Sequence, residues 1–297
     1  MLMKTRAALL AALAVGALAA AAPQAPAQDA PAPARAKAKQ VLEGVKDAVI
    51  SVKATVKISG GGYGGDDQQV EVTGTVIDPS GLTVISENSL DPFGGDGGDM
   101  HAETGEVKLV LKDGKEIPAR LVLRDKDLDL AFIAPEEKGL KFASVSMDGT
   151  KALEALDEVI VVGRLGRSLD RTPSVSVGTV RAVVKKPRTF YVCDLAASAI
   201  SLGCPAFDAA GKPVGIFLLR RGPRVGNESD FSSHIPLILP CDDVKEGAKQ
   251  AMEEAAKPPK KKEEAAPAEG EKKPEEGEKK EEGEKKEEGD KKEEAPK

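Results

Sequence analysis

Between residues 48 and 240 the chain is dominated by short stretches in which apolar and polar residues alternate with a period of two. Successive side chains of an extended backbone point to opposite faces, so this period marks strands with one face buried. Residues 48–58, 70–77, 82–86, 106–112, 115–123, 158–163, 174–185, 190–193 and 214–219 carry the alternation or a short continuous apolar run. Turn-forming residues punctuate them. Asp78-Pro79-Ser80-Gly81 and Ala210-Gly211 are turns by composition, and Asp113-Gly114 predicts a two-residue hairpin turn. The glycine cluster at 60–65 around Tyr63 predicts a hairpin loop. No Gly-Lys-Ser/Thr ending follows it, so it lacks the features of a phosphate cradle. Helical signals are confined to the flanks: one or two turns over 41–46, and a stretch from Asp242-Asp243 to about residue 256. The two acids suit the N-terminal end of a helix, where the peptide dipoles leave partial positive charge.

Composition supports this reading of the middle and sets the ends apart. With no tryptophan and 3% aromatic residues, the core must rest on Val, Leu, Ile and Ala. Those residues suit a β-rich interior, as an antiparallel barrel or a sandwich. Residues 1–27 have the layout of a secretory signal: Lys4 and Arg6, an Ala/Leu-rich run over 7–22, then Ala25-Pro26-Ala27 as a cleavage site. An uncleaved anchor is the alternative, although the run is short and Ala-rich for a membrane span. No later stretch is apolar for long enough to cross a bilayer, so the expectation is a secreted or periplasmic protein with no membrane span after signal cleavage. Residues 28–40, rich in Ala, Pro, Gln and Lys, read as a linker, and 41–256 as the folded domain. From 257 to 297 the chain is built of Lys, Glu, Gly and Pro. The unit Gly-Glu-Lys-Lys-Glu-Glu starts at Gly277 and Gly283, with a close copy at Gly289. Having no aliphatic or aromatic residues beyond alanine, this tail cannot bury a core and is expected to be disordered. Its mixed charges, in a chain of net charge −6, offer no single-sign block for nucleic acid.

Few residues offer chemistry. Of Cys193, Cys204 and Cys241 at most two can pair, and no Cys-x-x-Cys or nearby histidine completes a metal site. The acidic glycine-rich loop 91–104 lacks the spacing and distal glutamate of a calcium loop. His101 reads as solvated and His234 as a strand residue. No metal and no cofactor is expected.

The stretch 190–217 combines a strand, a long irregular loop, a short strand, a glycine turn and another strand. In it Gly203, Pro205, Gly211, Val214, Gly215 and Ile216 fall where the nucleophile loop of trypsin-like serine proteases, in the form used by the HtrA/Deg group, has the same residues. The likeness extends to Gly74-Thr75-Val76-Ile77-Asp78-Pro79-Ser80-Gly81, which is similar to the turn before the group's histidine-bearing strand end. It extends also to Asp129-Leu130-Ala131, similar to the run that carries the group's orienting acid. The chain thus resembles that family over about residues 41–256. The resemblance implies an all-β fold of two six-stranded antiparallel β-barrels, meeting near 139–157, with a C-terminal helix before the tail. It also implies site positions. Leu202 stands at the nucleophile, Asn88 at the general base, Asp129 at the acid and Ile200 at a glycine that shapes the oxyanion hole. A leucine is no nucleophile and an amide no base, so no catalytic residue is expected. In the family an extended substrate pairs with the strand after the nucleophile loop, here Ile216, Phe217, Leu218, Leu219 and Arg220. The family's PDZ domain has only the charged tail in its place. The expected function is that of an exported, catalytically inactive homologue acting as a binding or scaffolding module. Its partner would be extended polypeptide or another envelope protein, in an oligomeric state the sequence leaves open. The alternatives are a serine-type endopeptidase with an altered site and a structural envelope protein acting through the tail.

Overall fold

Twelve strands form two closed antiparallel barrels in a computed structural model that describes residues 32–60, 65, 67–91, 101–149, 151–198, 201–221 and 234–258. The proposed signal segment, the tail beyond Pro258, Ile200 and most of the two glycine-rich loops after residues 60 and 91 lie outside the described residues. The first barrel comprises β1 (Val49–Ser59), β2 (Asp67–Val76), β3 (Thr83–Ser86), β4 (His101–Val110), β5 (Glu116–Asp125) and β6 (Leu130–Pro135), closed in the order β1-β2-β3-β6-β5-β4. The second comprises β7 (Glu158–Arg164), β8 (Pro173–Val184), β9 (Phe190–Cys193), β10 (Cys204–Asp208), β11 (Pro213–Arg221) and β12 (His234–Pro240), closed as β10-β11-β12-β9-β8-β7. This is the chymotrypsin-like double barrel that the resemblance implies, with residues 136–157 joining the halves.

Alternation sorts the apolar residues into three layers. Ile50, Val52, Ala54 and Val56 point from β1 into the first barrel, alongside Leu109, Ile117 and Ile133. Val159, Val161, Ala206, Phe217 and Ile238 fill the second. The opposite faces of the same strands build a third cluster between the barrels: Val49, Val84, Leu130 and Phe132 meet Ile160, Val162, Ile216, Leu218 and Leu237. A strand facing both an interior and the other barrel is buried on both sides. That explains why 158–163 reads as a continuous apolar run rather than an alternating one.

Two helices complete the domain, α1 (Ala32–Val45) and α2 (Cys241–Ala256). The second packs against β5 and β6 of the first barrel and β11 and β12 of the second. Arg120 on β5 donates to the carbonyls of Ala255 and Lys257, both at 2.8 Å, and so closes the helix's C-terminal end. The first helix starts earlier than its apolar pattern predicts, inside the stretch 28–40 read as a linker. Its Ala, Lys, Arg and Gln are strong helix formers, Pro33 sits in the first turn where proline is tolerated, and Ala38 and Val41 are buried in the inter-barrel cluster. β4 also begins earlier, at His101 rather than 106, because β1 is long enough to pair with it as far as Ser59. The Asp113-Gly114 hairpin has a different turn from the two-residue one expected. Gly114 N–H bonds to Leu111 C=O at 2.9 Å, leaving Lys112-Asp113 central, and Gly114 takes φ +83°. A type I turn followed by a left-handed residue matches the twist of the flanking strands.

Candidate active site

The end of β3 and the turn before β6 meet residues 201–203 and the far end of β11, where the two barrels touch. Gly203 makes that approach possible. Its φ is +79°, and a Cβ there would lie 2.8 Å from the Thr73 carbonyl and 3.1 Å from both Ile85 Cα and Ser86 N. Gly203 N–H bonds to Phe217 C=O at 2.8 Å, and its own carbonyl accepts Thr75 Oγ1 at 2.6 Å. The loop is thereby fixed to β11 on one side and to β2 on the other.

Asp129 ends a turn at φ +58° and directs its carboxylate beneath a 3-10 turn, Glu87–Ser89, that follows β3. It accepts Ser86 Oγ at 2.8 and 3.0 Å and the Asn88 backbone N–H at 2.7 Å, while Glu87 N–H reaches the Asp129 carbonyl at 3.1 Å. Burial pushes this carboxyl up to about 6, against the opposing pull of N–H and hydroxyl donors from Asn88, Ser86 and Leu219. Asn88, which the resemblance puts at the base position, donates its Nδ2 to the carbonyl of Leu219 on β11 at 3.1 Å. Asp129 therefore holds the residue that stands where a base is expected, but that residue is an amide.

Leu202 is 6% exposed and belongs to the apolar interior of the second barrel. Its backbone N–H points within the loop to Ser198 C=O at 3.3 Å, and Ser201 N–H reaches the same carbonyl at 2.9 Å. The neighbouring hydroxyls also serve the loop: Ser201 Oγ donates to Ser198 C=O at 3.0 Å and accepts Ser198 N–H at 2.8 Å. His101 and His234 begin β4 and β12, and their side chains lie outside the described residues.

On β11, Ile216, Phe217 and Leu218 are buried, Leu219 is partly buried and Arg220 is exposed with its guanidinium 5.0 Å from the Phe190 ring centre. Both edges of Ile216 and Phe217 are taken, by β10 and by β12. The stretch read as a peptide-pairing strand thus narrows to its last residues.

Two features near the site had no signal in the sequence. Glu87 and Asp91 are buried carboxylates, with Arg124 at 3.3 Å from the first and Lys126 at 3.6 Å from the second. Arg164, 5% exposed at the end of β7, donates to Lys46, Val49 and Arg171 carbonyls at 2.6, 2.6 and 2.8 Å. The three cysteines are buried, and burial pushes the Cys193 and Cys204 thiols up to about 12 and Cys241 to about 11. Among the described residues no group of three or more His, Cys, Asp or Glu is placed to hold a metal, and no helix is long and apolar enough to cross a membrane.

Residues 72–216 match the family model described as a trypsin-like peptidase domain, an interval that contains Asn88, Asp129 and Leu202. Over 155 residues the chain is 29% identical to a probable periplasmic serine endoprotease, DegP-like, of Bartonella henselae. That similarity covers 49% of this chain and 28% of the relative, so the chain spans well under half of that protein's length. Fold and sequence similarity both point to the trypsin-like group.

Proposed function

We propose that this trypsin-like domain works by binding rather than by peptide hydrolysis, as an exported, catalytically inactive homologue whose partner is an extended polypeptide or another envelope protein. The observation that carries the proposal is the pair Leu202 and Asn88. A side chain of carbon and hydrogen, embedded in the barrel interior, occupies the nucleophile position. An amide, already bonded to Leu219, occupies the base position. Acyl transfer needs a nucleophilic oxygen or sulfur within reach of a proton acceptor, and neither role is filled. The Leu202 N–H adds to this, because it is spent on Ser198 C=O instead of facing a reacting carbonyl. Export is supported by the signal-like N-terminal sequence and by the periplasmic description of the relative.

A fluorophosphonate probe followed by peptide mapping tests the reading. The unmodified protein is expected to remain unlabelled, as is Leu202→Ser alone, since a serine without a base is a poor nucleophile. Asn88→His with Leu202→Ser is expected to label faintly, and the further change Ile200→Gly to raise labelling most, because these groups act as a unit. Labelling of the unmodified protein at Ser198 or Ser201 would instead establish an altered-site peptidase.

A further inference from the structure

In an antiparallel sheet the N–H and C=O of one residue face the same neighbour, and successive residues alternate between neighbours. On β11 one edge is paired with β12 along its length, from Gly215↔Pro240 to Arg221↔His234. The other edge faces β10, whose register ends at Cys204↔Phe217, with Gly203 N–H on the Phe217 carbonyl at 2.8 Å. Two residues on, Leu219 turns its backbone groups to that same side, where no described strand continues β10. The Leu219 carbonyl is nevertheless bonded: it takes Asn88 Nδ2 at 3.1 Å. A side-chain N–H on that carbonyl reproduces the donor that the opposite residue of an added strand would supply.

We propose that the Asn88 carboxamide is a displaceable cap on the β11 edge, standing in the place of a backbone N–H of a docked extended polypeptide. The inference rests on the binding reading above and names how that site is controlled. A polypeptide entering as a strand in line with β10 offers Leu219 the same kind of donor that Asn88 does. The bond to Leu219 is exchanged rather than gained, and entry requires the Asn88 side chain to swing away. The occupant is an extended main chain because the groups to be satisfied are backbone groups, and a strand's N–H and C=O match them in kind and spacing. The cap lowers affinity for any such segment and keeps the edge from pairing indiscriminately.

Reduced and alkylated lactalbumin, an unfolded chain, serves as the probe and is titrated into the full-length protein and into Asn88→Ala. Removing one neutral hydrogen bond from the free state is expected to tighten binding roughly three- to tenfold. In the unmodified protein the Asn88 side-chain amide resonances are expected to shift on titration, together with the backbone amides of Leu219 and Arg221. The side-chain readout needs no variant and so does not depend on Asn88→Ala folding. Equal or weaker binding by a folded Asn88→Ala would overturn the cap. So would saturation that leaves the Asn88 amide unmoved while other amides shift, and in that case the binding reading stands. No binding by either protein would overturn both.

Discussion

Asp129 is an acid that folding makes harder to ionise. Its donors are the Ser86 hydroxyl and the Asn88 backbone N–H, and burial outweighs them, pushing its carboxyl up to about 6. An acid whose value is raised on folding binds a proton more tightly in the folded state. Its contribution to stability is therefore fully present below about pH 3.8 and is lost as pH rises through about 6. A shift of roughly two units corresponds to about 3 kcal/mol across that window. Asp129→Asn keeps a carbonyl acceptor for the Asn88 N–H and removes the titration. Urea unfolding between pH 4 and 7 should show the unmodified protein losing stability relative to Asp129→Asn as pH rises, with the difference levelling off above pH 7. A difference of the opposite slope would show that the hydrogen bonds outweigh burial. The buried carboxyl accounts for Ser86 as well: its hydroxyl, at the end of β3, donates to both carboxylate oxygens, and only barrel closure brings the two together across more than forty residues of sequence.

Between elements, the decisive contacts are single side chains that cross from one strand to another. Arg164 leaves the end of β7 and gathers carbonyls from the turn after α1, the start of β1 and the loop before β8. Burial depresses its guanidinium below the ordinary arginine range, with the Asp47 charge working the other way. Arg171, a few residues on, holds Glu71 of β2 through both its Nε and Nη2, at 2.7 and 2.8 Å, but in a more open setting. Arg164→Met should cost about 3–5 kcal/mol, because one buried and two part-buried carbonyls lose a charged donor. Arg171→Met should cost about 1 kcal/mol or less, as expected of a pair near solvent. Denaturant midpoints of the two variants give the order, and equal costs would mean that Arg164 is no more than a surface pair. The sequence pattern could place β7 to within a residue but could give no hint of Arg164, two of whose three partners lie more than a hundred residues away. The same limit explains what else was legible. Strand positions follow from local alternation, and the order of family-like motifs carries the double barrel. α1 was obscured because its few buried positions, Ala38 and Val41, find their apolar partners only in the assembled interface. At the site, motif order suggests roles for Asn88, Asp129 and Leu202, whereas the bond from Asn88 to Leu219 joins residues of different barrels and exists only once both have closed.

At the scale of the domain, the cluster between the barrels is larger than either interior and draws on both helices as well as both sheets. Phe132 of β6 lies against Gly247 of α2, where an added Cβ would come within 2.8 Å of the ring. Val49, Leu130 and Phe132 from the first barrel meet Ile216, Leu218 and Leu239 from the second in one continuous apolar layer. Opening either barrel alone would expose that layer to water, at a cost that grows with its apolar area. The barrels are therefore expected to unfold as one unit, although each has a core of its own. Ile50→Ala tests this, since Ile50 points into the first barrel and takes no part in the shared layer. Truncating a buried isoleucine costs about 2–5 kcal/mol. If unfolding is joint, the most protected amides of β7 and β11 should exchange faster by the same factor as those of β1 and β6, when followed by native-state hydrogen exchange. Faster exchange confined to the first barrel would show that the halves open independently. The cap at Leu219 would then sit on a joint that separates before either barrel melts, instead of within a single cooperative body.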